Sequence, residues 1–377
     1  MYSHFMVTLI RWRVHWALVI VFVQFSQALL GWPLLGYWGM KGAEPFGDLT
    51  LTLAQIECEL GRNNCGPQLA LAPYIYGRPL VFFMSLFPSL LPFSSLIAWF
   101  ILFCITLTFC CFVIKVNKFK ALVLVLLTLL SPPYQLLVER MNVDVIVFFG
   151  VLTSAALFSK KRYLGSSILT ITTVLVKFYT LILMVFYFVP SKRKHLKLFI
   201  FFVLILSIYT ISGFKQVSGS LSSLNGGNFG FQVLFYWLIK IPNFLNLMAV
   251  SLIFAATIMC CWATWRYFSQ GKTPLFNSRF SITIFWFFTA ISIVIFLTIS
   301  NWDYRIIFLN IPLALLICCS PRVQGVFSSS LWLLYVAINY LSFNVSGNLQ
   351  FIGDVAIFLS ISTFITLMGI GLKNLKI

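Results

Sequence analysis

The sequence predicts an all-α, polytopic membrane protein of about ten transmembrane helices, and its composition, apolar run lengths and charge pattern agree on this. Hydrophobic residues make up 60% of the 377 residues and charged residues only 9%, and the mean hydropathy is +0.99. A soluble core of this size cannot bury so much apolar surface, so lipid must solvate most of it. Long apolar runs approach or exceed the roughly 20 residues that cross a bilayer. The ten spans are predicted near residues 14–35, 96–114, 121–138, 145–159, 198–213, 244–265, 281–300, 306–320, 326–343 and 355–372.

The basic residues orient these spans. Eighteen of the 26 lysines and arginines fall in seven segments between apolar runs, and the positive-inside rule makes such segments cytoplasmic. The eight acids all fall in the other segments, where they balance the eight remaining basic residues. Both termini are therefore predicted to be cytoplasmic, in a multi-pass protein of the inner membrane. Because the basic residues are scattered and not gathered on one water-exposed domain, nucleic acid is not an expected partner. The seven segments contain Arg11/Arg13, Lys115/Lys118/Lys120, Lys160/Lys161/Arg162, Lys192/Arg193/Lys194/Lys197, Arg266/Lys272/Arg279, Arg322 and Lys373/Lys376.

We expect one integral membrane domain over residues 1–377, since no stretch is typical of a separate soluble domain or of an internal repeat. The first extracytoplasmic loop, at about 36–95, is the only long loop. Its apolar part at Leu80–Leu91 is typical of an interfacial helix that lies on the membrane.

One apolar stretch breaks the alternation of sides. Between the basic clusters that end at Arg162 and begin at Lys192 lie 29 residues, too few for two full crossings. Two half-length helices fit the charge pattern, because about 13 residues at 1.5 Å each reach ~20 Å into the bilayer. We therefore predict a re-entrant hairpin over about 163–190, with its tip at Lys177–Tyr179 buried in protein or facing a polar cavity.

In this topology three acid-bearing motifs and one lysine share the extracytoplasmic leaflet. Asp48 follows the first span, Glu139–Asp144 (ERMNVD) links two spans, and Asn301–Arg305 (NWDYR) is a tight turn. Lys177 reaches the same level from the hairpin. Charged groups at membrane depth are costly and usually functional, so this convergence predicts a concave polar site.

Local pairing is the alternative for two of these motifs. Glu139 with Arg140 or a neighbour, and Asp303 with Arg305, can neutralise short polar loops without any further role. The shared leaflet favours a functional site, because the other short loops are mostly uncharged.

The motifs resemble those of the C-type (GT-C fold) glycosyltransferases, most closely glycosyltransferase family 87. The resemblance rests on Glu139–Asp144 followed by an apolar run, on the later Leu175–Tyr179 segment (LVKFY), and on an aspartate in the first outer loop. In topology it covers nearly the whole chain. Met141 stands where the family pattern has a glycine, and Thr180 where a proline commonly follows the lysine.

The resemblance implies an inverting, GT-C-like hexosyltransferase. It would transfer mannose or another hexose from a polyprenyl-phosphate sugar to an acceptor hydroxyl of a glycan or glycolipid at the extracytoplasmic face. Such a transfer needs one base to take the acceptor proton, and Asp48 suits that role. The phosphate of the leaving lipid needs cationic donors. The candidates for binding donor phosphate or substrate are Arg140, Lys177, Arg305, Glu139, Asn142, Asp144, Asp303 and Tyr304.

No cofactor or metal is expected. Nucleotide-sugar enzymes commonly hold a metal through Asp-x-Asp, which this sequence lacks, and Glu57–Glu59 is more simply a solvated loop face. The histidines His4 and His195 adjoin cytoplasmic basic clusters and His15 begins the first span, so neither a metal site nor a histidine base is favoured.

Two further features of the outer segments remain open. Cys58 and Cys65 share the first outer loop, where they either close a small disulfide ring that stiffens the loop carrying Asp48 or remain free thiols. The glycine-rich segment Asn225–Gly230 lacks the Lys-Ser/Thr of a phosphate-binding loop, so it is either a flexible connection or a substrate gate.

Two other functions fit parts of the pattern. A transporter or lipid-linked-sugar flippase also uses broken helices and buried charges, although no inverted repeat is visible and the acids cluster at the outer end. A lipid-linked glycan polymerase or ligase would use a different donor with similar residues. Release of polyprenyl phosphate from a labelled lipid-phosphate sugar separates the three.

Overall fold

The described residues form almost only helices in the computed structural model, which confirms the all-α prediction. They are residues 19, 22, 47–62, 78–113, 123, 127–128, 130–188, 228–229, 243–269, 275–297, 301–302, 305–321, 323–341 and 347–374. Short 3₁₀ segments at Leu91–Phe93 and Phe178–Met184 and a π-helical turn at Ala337–Leu341 extend or join the α-helices. The α-helices are α1 (Gly47–Glu59), α2 (Arg78–Ser85), α3 (Ser94–Val113), α4 (Pro132–Arg140), α5 (Asp144–Ser159), α6 (Tyr163–Val176), α7 (Val185–Phe188), α8 (Asn243–Ser269), α9 (Arg279–Leu297), α10 (Ile306–Cys319), α11 (Gly325–Val336) and α12 (Gly347–Asn374).

Three helical stretches in the described part of the chain are long and apolar enough to cross a membrane. They are Met248–Ser269 in α8, Arg279–Leu297 in α9 and Gln350–Ile370 in α12. Several shorter apolar helices, including α5, α6 and α10, accompany them. Membrane association is therefore supported, while the count of ten crossings and the orientation of the termini stay predictions. The spans predicted at 14–35 and 198–213 lie outside the described residues, apart from Val19 and Phe22.

The segment predicted to be the first outer loop contains more helix, in its described part, than the sequence analysis predicted. Besides α2, which overlaps the interfacial helix predicted at Leu80–Leu91, it contains α1. Leu49, Leu53 and Ile56 recur at helical spacing in α1 and are buried, which explains why this segment is a helix.

Asp48 lies in the first turn of α1, within the segment predicted to be the first outer loop. α4 runs from Pro132 to Arg140, after Ser131, whose backbone is extended (φ −73°, ψ 142°). Glu139 and Arg140, predicted to begin the linker after a span that ends near residue 138, therefore lie in the last turn of this helix. α4 starts at Pro132 because proline has no N–H to lose at the first helical position and its φ is preset.

The core is built where α5, α9 and α10 pack together. Every residue of α10 from Ile306 to Cys318 is buried, as expected for a helix that is hydrophobic on all sides. Phe148, Phe288 and Phe308 join the three helices, with ring centroids 5.2 Å apart between Phe148 and Phe288 and 5.7 Å apart between Phe148 and Phe308. These edge-on contacts fix the ends of α5 and α10 that carry the polar residues described below.

The chain reverses direction between α6 and α7. α6 ends before Lys177, whose backbone is extended (φ −147°, ψ 119°). The Tyr187 hydroxyl then lies 2.5 Å from Ser166 Oγ and 2.8 Å from Thr170 Oγ1, so the segment after Lys177 returns along α6. Residues 163–188 are thus not one straight helix, and Lys177 lies at the turn.

α5 and α6 pack antiparallel and in close contact. A Cβ on Gly150 would lie 2.3 Å from Thr173 Cγ2, so glycine is required where the helices are closest. The close packing brings the last turn of α6 beside the first turn of α5, and therefore Lys177 beside Asp144.

A two-residue antiparallel pairing joins two distant connections. Asn228–Phe229 (β1) pairs with Asn301–Trp302 (β2), and Asn228 lies opposite Trp302. Two residues of the predicted glycine-rich segment are therefore held beside Asn301 and Trp302, which the sequence did not predict.

Candidate functional site

Four separate parts of the chain bring their polar side chains together at one end of the helices. They are the first turn of α1, the junction between α4 and α5, the turn after α6, and the residue that precedes α10. The sequence predicted five of the six side chains as site residues. We refer to the six as the polar cluster: Asp48, Asn142, Asp144, Lys177, Tyr179 and Arg305.

Asp144 is the centre of the polar cluster. Its side chain is only 1% exposed. Its Oδ2 accepts a hydrogen bond of 2.8 Å from Arg305 Nε, its Oδ1 accepts one of 2.8 Å from the Tyr179 hydroxyl, and Lys177 Nζ lies 3.7 Å from Oδ1. A carboxylate buried this deeply is stable only when paired and hydrogen-bonded, and Asp144 has both kinds of partner.

Arg305 is held from two sides. Its guanidinium carbon lies 5.7 Å from the centre of the Tyr179 ring, so Tyr179 contacts the cation with its ring and the anion with its hydroxyl. Arg305 also occupies the N-cap position of α10, where the helix dipole disfavours a positive charge. The bond to Asp144 compensates for that position.

Tyr179 was not among the predicted site residues. The sequence placed it at the tip of the hairpin, two positions after Lys177. Its place beside that lysine in the predicted tip was the available signal.

Asn142 connects Asp48 to Asp144. Its Oδ1 accepts a hydrogen bond of 3.1 Å from the backbone N–H of Asp144, and its Nδ2 donates one of 2.9 Å to Asp48 Oδ2. The first bond fixes which side of the amide faces Asp144, so the N–H donor must face Asp48. Asp48 also interacts electrostatically with Lys177, and the two carboxylates of the polar cluster balance its two cations.

A strained residue makes this arrangement possible. Met141 ends α4 with a left-handed backbone (φ 46°, ψ 51°), and its N–H donates to Leu137 O at 2.8 Å. Glycine is the usual residue at such a helix end. Met141 is 1% exposed, so the contacts of its buried side chain offset the backbone strain.

Four predicted site residues cannot be placed by their side chains. Glu139 and Arg140 belong to the last turn of α4, but their side chains lie outside the described part of the structure. Asp303 and Tyr304 are outside the described residues altogether. Their roles stay predictions. Arg305, for which the sequence offered Asp303 as a local partner, pairs with Asp144 across 161 positions.

Contacts of Arg62 hold the C-terminal end of α1. Arg62 donates to Phe87 O at 2.9 Å and to Ser85 O at 3.1 Å, and it lies 3.7 Å from Glu57. Cys58 is disulfide-bonded, while Cys65, its predicted partner, lies outside the described residues. Both features stiffen the helix whose first turn carries Asp48.

Within the described residues, no group of three or more histidine, cysteine, aspartate or glutamate side chains could hold a metal ion. The expectation of a metal-free site stays a prediction. The polar cluster can offer a carboxylate as a base and two cations to an anionic group, all at the end of an apolar helix bundle.

Comparison with known proteins gives no match: no family model, no curated protein and no solved structure is similar to this chain. The resemblance to the C-type glycosyltransferases thus rests on the motifs alone.

Proposed function

We propose that this protein is a metal-independent, inverting membrane glycosyltransferase that moves mannose or another hexose from a polyprenyl-phosphate sugar to an acceptor hydroxyl at the extracytoplasmic face. The observation that supports it most is the polar cluster, in which Asp48 and the cations of Lys177 and Arg305 are joined through Asn142 and Asp144. A base for the acceptor hydroxyl and cations for the leaving phosphate are the two things this reaction needs.

The division of labour follows from burial and contacts. Asp48 is half-buried, so it is more accessible than Asp144, which is enclosed by its partners. Asp48 takes the proton of the acceptor hydroxyl as the acceptor oxygen bonds to the anomeric carbon. The bond from that carbon to the phosphate oxygen breaks, and the lipid phosphate leaves with the electron pair near Arg305 and Lys177. Asp144 holds both cations and is not itself a base.

The predicted hairpin belongs to this proposal. α6 has 14 residues, about 21 Å at 1.5 Å per residue, which is shorter than a ~30 Å hydrocarbon layer. A segment that enters from the cytoplasm at Tyr163 and turns at Lys177 would deliver the lysine to the outer half of the bilayer. The basic segments before and after it would then both remain cytoplasmic. The ten crossings and the extracytoplasmic site are proposed on the same charge pattern.

The test is an assay of hexose transfer by the purified protein. The protein is reconstituted in vesicles with a radiolabelled polyprenyl-phosphate hexose and an extract of membrane glycans, and the released polyprenyl phosphate is measured. Asp48→Asn should lower turnover by about 10²–10⁴-fold. Glu59→Gln is the matched control, because Glu59 is an exposed acid at the other end of α1 and should keep full turnover.

Two results would contradict the proposal: no release of polyprenyl phosphate from any hexose donor, or equal rates for Asp48→Asn and the wild type. A parallel assay uses glycans linked to the lipid through pyrophosphate as donors. Turnover with these donors alone would identify a polymerase or ligase.

A transporter is the second candidate, and the helix break at Lys177 beside buried charges favours it specifically. The same reconstituted vesicles distinguish the two functions. Movement of an intact lipid-linked sugar across the bilayer, with no bond cleaved, would establish transport and exclude the transferase.

A further inference from the structure

A second charged region lies at the opposite end of α5 from the polar cluster. Lys160, Lys161 and Arg162 follow one another in the turn between α5 and α6, and Arg279 begins α9. All four residues are exposed. Arg279 Nη2 donates to the Tyr163 hydroxyl at 3.2 Å, which ties α9 to this turn. We call these four residues the cationic patch.

The turn that presents the patch is well defined. The backbone N–H groups of Lys161 and Arg162 donate to Phe158 O and Leu157 O, each at 3.0 Å. Lys161 has a left-handed backbone, with φ at 61°, at a place where helices usually end in glycine. The chain therefore has a lysine where glycine would be less strained.

Nothing in the described structure neutralises the patch. None of its four side chains has a carboxylate within ion-pair distance among the described residues. Arg162 directly precedes α6 and Arg279 is the first residue of α9, so two of the cations stand at helix N-termini. The partial positive charge there repels them and would attract an anion.

An apolar strip continues from the patch along α6. Leu164 is 69% exposed and Ile168 is 54% exposed, and residues four apart lie on one face of a helix. A ligand with an anionic head and an apolar chain would match both surfaces, because its head would neutralise Arg162 while its chain covers Leu164 and Ile168.

We propose that the cationic patch binds the headgroup of an anionic phospholipid, with an acyl chain lying along Leu164 and Ile168. The inference is independent of the reaction proposed for the polar cluster, which lies at the other end of α5. It requires only that the helix bundle is embedded in a bilayer. Each basic residue near an anionic headgroup contributes about fivefold in binding, so the four together should select strongly for anionic lipid.

The test uses the full-length protein in detergent with equimolar phosphatidylglycerol and phosphatidylcholine, and measures retained lipid by native mass spectrometry. The wild type should retain phosphatidylglycerol in preference. Lys161→Gln/Arg162→Gln should reduce that preference by about tenfold or more. Arg266→Gln is the matched control, because Arg266 is an exposed arginine on α8 that stacks on Trp262 and lies outside the patch, so the preference should not change.

Two further arms separate the possible ligands. Leu164→Asn should weaken lipid retention although it leaves every cation in place. Inorganic phosphate at the same concentration should not displace the lipid, and equal competition by it would reassign the patch to free phosphate and overturn the proposal. Equal retention of both lipids by the wild type, or an unchanged preference in the double variant, would overturn it as well.

Discussion

Asp144→Asn is expected to destabilise the protein more than any other single change in the polar cluster. Asp144 is 1% exposed and contacts Arg305, Tyr179 and Lys177, whereas the cations are 13% and 10% exposed. An asparagine has the same shape and keeps one acceptor oxygen, but its NH₂ group would face either the Arg305 N–H or the Tyr179 hydroxyl, both of which donate. The cations of Arg305 and Lys177 would also lose the negative charge of Asp144. Removing one partner of a buried ion pair costs about 3–5 kcal/mol, and we expect a loss in that range.

The prediction can be tested by ranking variants. Lys177→Met should cost less than Asp144→Asn, because it removes the 3.7 Å ion pair with Asp144 and leaves the 2.8 Å bond between Arg305 and Asp144 intact. The double variant Asp144→Asn/Lys177→Met should be more stable than Asp144→Asn alone, because one of the two cations that lost the Asp144 carboxylate is gone. Asp48→Asn is the control within the cluster, since its new side chain can still accept from Asn142.

The chain provides its own reporter for the measurement. Cys318 is a buried thiol in α10 that forms no disulfide, so in protein whose other thiols are replaced a thiol-reactive dye reports its exposure as the detergent-solubilised protein is heated. Asp144→Asn as stable as the wild type, or less damaging than Lys177→Met, would show that Asp144 does not hold the two cations together.

Four further outcomes are expected. Asn142→Ser can still cap Asp144 N–H but cannot reach Asp48, so it should lower kcat by about 10–10²-fold with the donor KM unchanged; a raised KM at normal kcat would instead mean that Asn142 binds the donor. Met141→Gly should be about 1 kcal/mol more stable than Met141→Ala, because only glycine is unstrained at φ 46°, and the opposite order in thermal unfolding would argue against that backbone. Tyr187→Phe should lose about 1 kcal/mol of stability with its hydrogen bonds to α5 and α6, which equal melting curves would contradict. A cysteine at Lys161, in a cysteine-free background, should react with impermeant reagents only from the cytoplasmic side, and labelling from outside intact cells would reverse the topology.

The sequence predicted the reversal at Lys177 from chain length and charge alone. Twenty-nine residues between two basic segments cannot cross twice, and this limit holds whatever the side chains pack against. α1 was missed for a different reason. Its buried positions Leu49, Leu53 and Ile56 are interspersed with buried Thr52 and Gln55, so apolar content did not mark it as a helix. The helical spacing of the three apolar residues was the signal that could have found it.

Pairing within the site could not be predicted in the same way. The sequence offered Asp303 as the local partner of Arg305, because nothing in a linear chain measures distance across 161 positions. The bond to Asp144 exists because α5 and α10 pack through Phe148 and Phe308, which brings their N-terminal ends together. The role of Tyr179 has the same origin, since its ring packs on Phe308 at 5.8 Å.

The contacts of Asn142 and Asp144 make the proposed base and the proposed phosphate-binding cations parts of one unit. The backbone N–H of Asp144 fixes the orientation of the Asn142 side chain, which in turn donates a hydrogen bond to Asp48. The carboxylate of the same Asp144 holds Arg305 and Lys177. A shift of the N-terminus of α5 would therefore move the base and the cations together and preserve their spacing. A substitution that breaks the Asn142 link would separate them even where both halves stay folded. Asp48→Asn and Asn142→Ser should accordingly be non-additive in turnover, with the double variant close to Asp48→Asn alone, because Asn142 acts on the reaction only through the carboxylate that the first change removes.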